Sequence, residues 1–137
     1  MRTIDRKWFS LLLLLLLSGC AHAPSQVSLP DSTVPYDRAW QVALSASLNY
    51  YDRIAVEDKE GGFFQTVWNI EKSGLIIGAP VKRSRLIGHV ANKAPFRLYL
   101  TLEEQAFSLE LGRWVSQPTN QEFLTQIGRD IASKLQF

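Results

Sequence analysis

The chain of 137 residues contains one cysteine, Cys20, and two histidines, His22 and His89. A lone cysteine excludes an internal disulfide, and once Cys20 is consumed no thiol chemistry is left. The histidines are far apart, and no cluster of His, Cys and carboxylate has ligand spacing, so no metal site is expected. Nucleophile elbow, phosphate-cradling glycine loop and dinucleotide fingerprint are all missing. Neither a catalytic residue nor a cofactor is expected, and the enzyme reading is poor. A charge surplus is missing too. Arg2, Arg6, Lys7 and Asp5 fall within the first nineteen residues, so the remainder holds twelve basic and twelve acidic side chains. A neutral domain has no counterion-displacing surface, which argues against nucleic acid.

Long apolar runs are equally scarce. The exception is Leu11 to Leu17, preceded by Trp8 and Phe9 and by the positive Arg2, Arg6 and Lys7. A bilayer span needs about 20 apolar residues, so this run is too short. A positive start before a short apolar run is the layout of an export signal. The run ends in Leu17-Ser18-Gly19-Cys20. Small residues at 18 and 19 allow an extended backbone to enter a peptidase cleft, and Cys20 offers a thiol for acylation. This stretch resembles the bacterial lipobox. The resemblance implies a diacylglycerol on Cys20, cleavage before it, and acylation (palmitate or similar) of the new amine. Two or more acyl chains give stable anchoring where one does not. In Gram-negative lipoproteins an Asp after the cysteine marks inner-membrane retention. Ala21 therefore implies, by the same resemblance, an outer-membrane address, and a periplasm-facing domain is expected. The plainer alternative is an ordinary signal peptide with an incidental cysteine.

The expected organisation is a signal peptide over 1–19, a lipidated cysteine with a flexible tether over 20–34, and a single α+β domain over 35–137. The tether reading rests on Pro24, Pro30 and the small polar residues between them. A first helix is expected from Pro35 or Tyr36 to about Tyr50, capped by Ser32 or Thr33. Tyr36, Trp40, Ala43, Leu44, Ser47, Leu48 and Tyr51 recur at helical spacing. A second begins at the Thr119–Glu122 capping-box pattern and carries Phe123, Ile127, Ile131 and Leu135 at intervals of four. Gly128 is expected to let this helix sit close to the sheet. Between the helices the period becomes two. Ile54–Glu57 and Phe63–Asn69 flank the turn-forming Asp58-Lys59-Glu60-Gly61-Gly62, and Leu86–Ala91 adds a strand. Phe96–Glu103 and Phe107–Gly112 read as a hairpin linked around Glu104. The fold expected is a two-layer sandwich, an antiparallel sheet of four or five strands flanked by an N-terminal and a C-terminal helix.

The helix with Trp40, the Asp58–Gly62 turn, Thr66-Val67-Trp68 and an Arg/Lys-bearing strand are together similar to small helix-grip-like envelope lipoproteins. Among these are the repeated domains in the C subunit of the β-barrel assembly machinery. The likeness covers 35–137 and implies envelope proteins as partners, although that subunit has two such domains where this chain has room for one.

Few residues invite a functional reading. His89 is a half-exposed strand residue more readily than a catalyst, and Glu103-Glu104 and Asp58/Glu60 read as solvated turn charges. Lys82, Arg83, Arg85, His89, Lys93 and Arg97 form a local basic patch. It is either a solvated loop and strand or a contact for headgroups or an acidic partner. Phe63, Phe64 and Trp68 are either core and covered edge or an exposed aromatic patch. Arg97, Tyr99, Thr101 and Glu110 are expected on the open sheet face, with Lys82, Arg83 and Arg85 on an excursion leading into it. The expected function is a non-enzymatic accessory or scaffold subunit of an envelope complex, contacting its partner through Lys82, Arg83, Arg85, Arg97 and Tyr99. The alternative is a carrier for a lipid or other apolar ligand, which needs an enclosed apolar cavity.

Overall fold

The structure, a computed structural model, describes residues 25–71 and 81–136. The export signal, Cys20, His22 and the Gly74, Gly78 and Pro80 region lie outside the described residues. The elements are β1 (Gln26–Ser28), α1 (Tyr36–Ser47), β2 (Ile54–Asp58), β3 (Phe63–Thr66), β4 (Asn69–Glu71), β5 (Lys82–Lys93), β6 (Phe96–Ser108), β7 (Arg113–Gln117) and α2 (Gln121–Lys134). The domain is thus α+β, with an open antiparallel sheet and two helices among the described residues. Seven strands are present among them, where four or five are expected from the sequence.

The sheet is organised around one long hairpin. β5 and β6 pair from Lys82↔Ala106 to Lys93↔Phe96, closing at Ala94–Pro95, whose peptide is cis. Each outer edge of this hairpin is covered by two short strands end to end. β3 and β4 lie along β5, and β1 and β7 lie along β6. Both breaks are bridged by a threonine hydroxyl. Thr66 Oγ1 accepts from Leu86 N at 2.9 Å, and Thr119 Oγ1 donates to the Leu102 carbonyl at 3.0 Å. A buried ladder position left without a backbone partner would otherwise carry the desolvation cost of an unpaired group.

Alternation assigns the faces. Leu86, Val90, Leu98, Leu100 and Leu102 point inward with Phe64 and are buried under the helices. The indole of Trp40 meets Phe64 edge-on at 5.9 Å between ring centroids, and its Nε1 donates to Glu57 at 3.1 Å. Phe64 in turn lies over Gly88, where a Cβ would collide with the ring. A close approach of ring to backbone therefore fixes this glycine. α2 buries Leu124, Ile127 and Ile131. A Cβ on Gly128 would come within 3.0 Å of Val27 Cγ1, so the expected close approach is real and is directed chiefly at β1. Tyr50 and Phe123 join the helices edge to face at 5.8 Å.

Several expectations are corrected. Residues 26–34 belong to the fold rather than to a tether. β1 pairs with β6, Leu29 is buried, and Ser32 Oγ donates to the Leu135 carbonyl at 2.9 Å. With that hydroxyl engaged, neither Ser32 nor Thr33 caps α1, whose N-cap is Pro35 without a side-chain bond. α1 ends at Ser47, and the following turn leaves Leu48 exposed while returning Tyr51 to the core. Asn120, not Thr119, caps α2, accepting from Phe123 N. Glu104 is not a link but lies mid-strand in β6. The turn comes later, where Gly112 adopts φ 62° and Leu111 N donates to Ser108 Oγ. Leu109 and Leu111, read as strand, sit in that turn.

Candidate interaction surface

The outward face of the sheet has no helix over it among the described residues. Its cross-strand rows follow from the register. Asp58, Phe63, His89, Tyr99 and Ser28 form one row, and Val56, Gln65, Ile87, Thr101 and Gln26 the next. Beyond them come Arg85 with Glu103, Arg83 with Gln105 and Ser116, then Phe107 with Trp114. Phe63 and Ile87 are half-buried and Val56 is exposed, so this face is mixed rather than polar.

Its most ordered feature is a stack. The Arg83 guanidinium lies 4.2 Å from the ring centre of Trp68 and 4.1 Å from that of Trp114. Arg85 stacks on the same Trp68 at 4.4 Å. Phe107 meets Trp114 edge to face at 5.5 Å. Planar guanidinium suits such stacking in a way an ammonium does not. The edges of the two arginines are used differently. Arg85 Nε donates to the Glu103 carboxylate at 2.6 Å. Arg83 donates through Nε at 2.9 Å and Nη2 at 2.6 Å to the neutral Gln105 Oε1. The indoles and the nearby Arg85 charge therefore act on an Arg83 cation that Gln105 does not neutralise. Desolvation, with Arg85 second, pushes its pKa below the ordinary arginine value.

The predicted site residues are divided by this geometry. Arg83 and Arg85 come together, but on β5 rather than on a loop. Arg97 and Tyr99 share the outward face nearer the other end, where Arg97 forms a two-pronged pair with Asp31 at 2.7 and 2.8 Å. Lys82 points to the opposite side, in register with Ser84 and Leu86. Lys93 is removed from the patch as well, with its Nζ over the Tyr36 ring and bonded to the Glu60 carbonyl. Glu110 occupies the β6–β7 turn and not the sheet face. Trp114, Gln105 and Glu103 were not among the predicted contacts. Only the β6–β7 register brings Trp114 to Arg83, and local sequence does not carry that register.

Two clefts lie near the stack, the second mainly on the inner side of the sheet. One of about 370 Å³ opens where β6 lacks a neighbour between β1 and β7, lined by Ser25, Arg85, Glu103 and Thr119. A second, of about 300 Å³, is lined by Glu71, Lys82, Arg83 and Gln117. An apolar cleft between β1 and α2 measures about 180 Å³. All three are open to solvent. No protein-family model matches the chain, and no characterised protein matches it in sequence.

Proposed function

We propose that the protein is a bacterial lipoprotein, anchored to the outer membrane through Cys20 and facing the periplasm. In this reading its helix-grip-like, two-layer domain is a non-enzymatic accessory or scaffold subunit of an envelope protein complex. The observation that carries the reading is the Trp68–Arg83–Trp114 stack on a sheet face without a helix cover. Tryptophan and arginine dominate binding hot spots because they combine contact area with directional hydrogen bonds. Here the mutual stack fixes both rotamers in advance, which lowers the ordering cost of association. The carrier reading has less support, since the apolar clefts, one of about 180 Å³ between β1 and α2 and one of about 420 Å³ beside Val34, Tyr36 and Pro95, are open to solvent rather than enclosed.

Affinity purification from envelopes, with the lipid anchor preserved, compares the native chain with an Arg83→Glu/Arg85→Glu variant. The variant should lose co-purifying envelope proteins, most clearly at low salt where screening is weak. Its melting temperature reports the fold in parallel. Equal recovery of partners from a folded variant removes the stack from the interface. A Cys20→Ser chain tests the anchor, because a hydroxyl is a poor acyl acceptor and unprocessed precursor should accumulate. Normal processing of that variant overturns the lipoprotein reading.

A further inference from the structure

We infer that the β6–β7 turn, residues 109–112, enters the lipid interface beside the anchor, so that the domain rests on the membrane at a second point. The inference rests on the lipoprotein reading of Cys20. Its first support is chain direction. β1 runs antiparallel to β6 with Ser28 opposite Tyr99 and Gln26 opposite Thr101. Read back from Ser28 to Gln26, β1 therefore points along β6 toward Ser108 and the turn. Ser25 already lies in the cleft with Leu102, Glu104 and Gln117.

The second support is length. From Cys20 to Gln26 is a reach of at most about 20–22 Å, even fully extended. From the level of Thr101 to Ser108 the strand itself advances about 23 Å. The anchor therefore cannot pass well beyond the turn. With the acyl chains in a bilayer and β6 standing along its normal, a reach no longer than this brings the turn to the interface.

The third support is what the turn carries. Leu109 is 73% exposed and Leu111 56%. A single exposed leucine is ordinary, but here two share one tip. Behind them stand Phe107, Trp114 and Arg83, an aromatic and basic collar of the kind that settles at the headgroup level. The opposite end of the long hairpin differs. It offers Lys93, Ala94 and Pro95, with the Lys59–Asp37 and Arg97–Asp31 ion pairs nearby. No large apolar side chain is exposed there among the described residues. The two leucines of the tip, with Glu110 between them, thus lie at the end toward which the start of β1 points.

The experiment uses the full chain, exported and processed in a bacterial host, with Leu111→Cys as a labelling site. Ala94→Cys at the far end is the control. Each labelled protein is reconstituted into phosphatidylethanolamine/phosphatidylglycerol vesicles with an environment-sensitive fluorophore on the new thiol. Intact mass reads the acylation of Cys20 separately. The probe at 111 should be blue-shifted and quenched several-fold more by spin-labelled lipids than the probe at 94. Adding Leu109→Ser to the 111-labelled chain should shift that probe toward water. Acylated protein with both probes equally open to aqueous iodide overturns the inference while the lipoprotein reading stands. An unacylated Cys20 overturns both. A probe at 111 that is shielded in native envelopes but water-exposed in pure vesicles points to a protein at the tip, and overturns the membrane contact.

Discussion

The two halves of the long β5–β6 hairpin are stabilised by different physics. Under the helices, Trp40, Phe64, Leu86, Leu98, Leu100 and Leu102 are fully buried, and cohesion comes from removing apolar surface from water. Beyond them, Trp68, Arg83, Arg85, Phe107 and Trp114 are only half-buried, and cohesion comes from flat groups stacked on one another. The first half is insensitive to salt and intolerant of lost volume. The second can present large rings without collapsing, because each ring already has a partner. With no helix over this region among the described residues, the sheet keeps its shape and leaves a face available.

Three substitutions or conditions sharpen this contrast. Trp40→Ala removes a fully buried indole with its bond to Glu57, and should cost about 3–5 kcal/mol in denaturant unfolding. A loss below about 0.5 kcal/mol would mean that the helix-covered half does not hold the domain together. Arg83→Ala should cost far less, about 0.5–2 kcal/mol, since it breaks two partly exposed stacks. It should also change the environment of Trp114, seen as a shift in tryptophan emission, and leave the midpoint nearly independent of salt. A cost matching that of Trp40→Ala would erase the difference between the halves. The smallest effect concerns Asp31. Its hydrogen bond to Arg97 holds the carboxyl below its ordinary value, with the Arg97 charge adding to the effect against desolvation. A lowered folded pKa gives stability that is present above the unfolded pKa, near 3.8, and lost as pH falls through the folded one. Native and Asp31→Asn proteins should therefore differ at neutral pH and converge in acid. A gap that persists below the carboxylate range would give the pair another role.

Helical periodicity made both helices legible, because 3.6-residue spacing survives over a dozen positions. The β2–β3 turn was legible as well. Asp58 Oδ1 accepts from Gly61 N, and Gly62 adopts φ 68°, as that run of residues requires. β1 was hidden, since Gln26-Val27-Ser28 is three residues between prolines and pairs only with a strand some seventy positions away. The length of β6 was hidden for a different reason. Its inner face turns polar at Glu104, where the helix cover ends, so the apolar alternation stops although the strand continues. Arg83 and Arg85 were legible as chemistry but not as geometry. Gly74, Gly78 and Pro80 suggested an excursion there, while the partner that defines the stack, Trp114, comes from a separate strand.

Pairing of β1 with β6 also has a mechanical side. Any tension transmitted through the chain ahead of Ser25 acts along β1, toward the far end of β6. Ladder bonds stand perpendicular to the strands, so such a pull shears them together instead of opening them in turn. Leu29 N–H···O to Leu98 and the reciprocal bonds between Ser32 and Phe96 continue the same line of resistance. A short strand joined in this direction can carry load well beyond what its three residues would suggest.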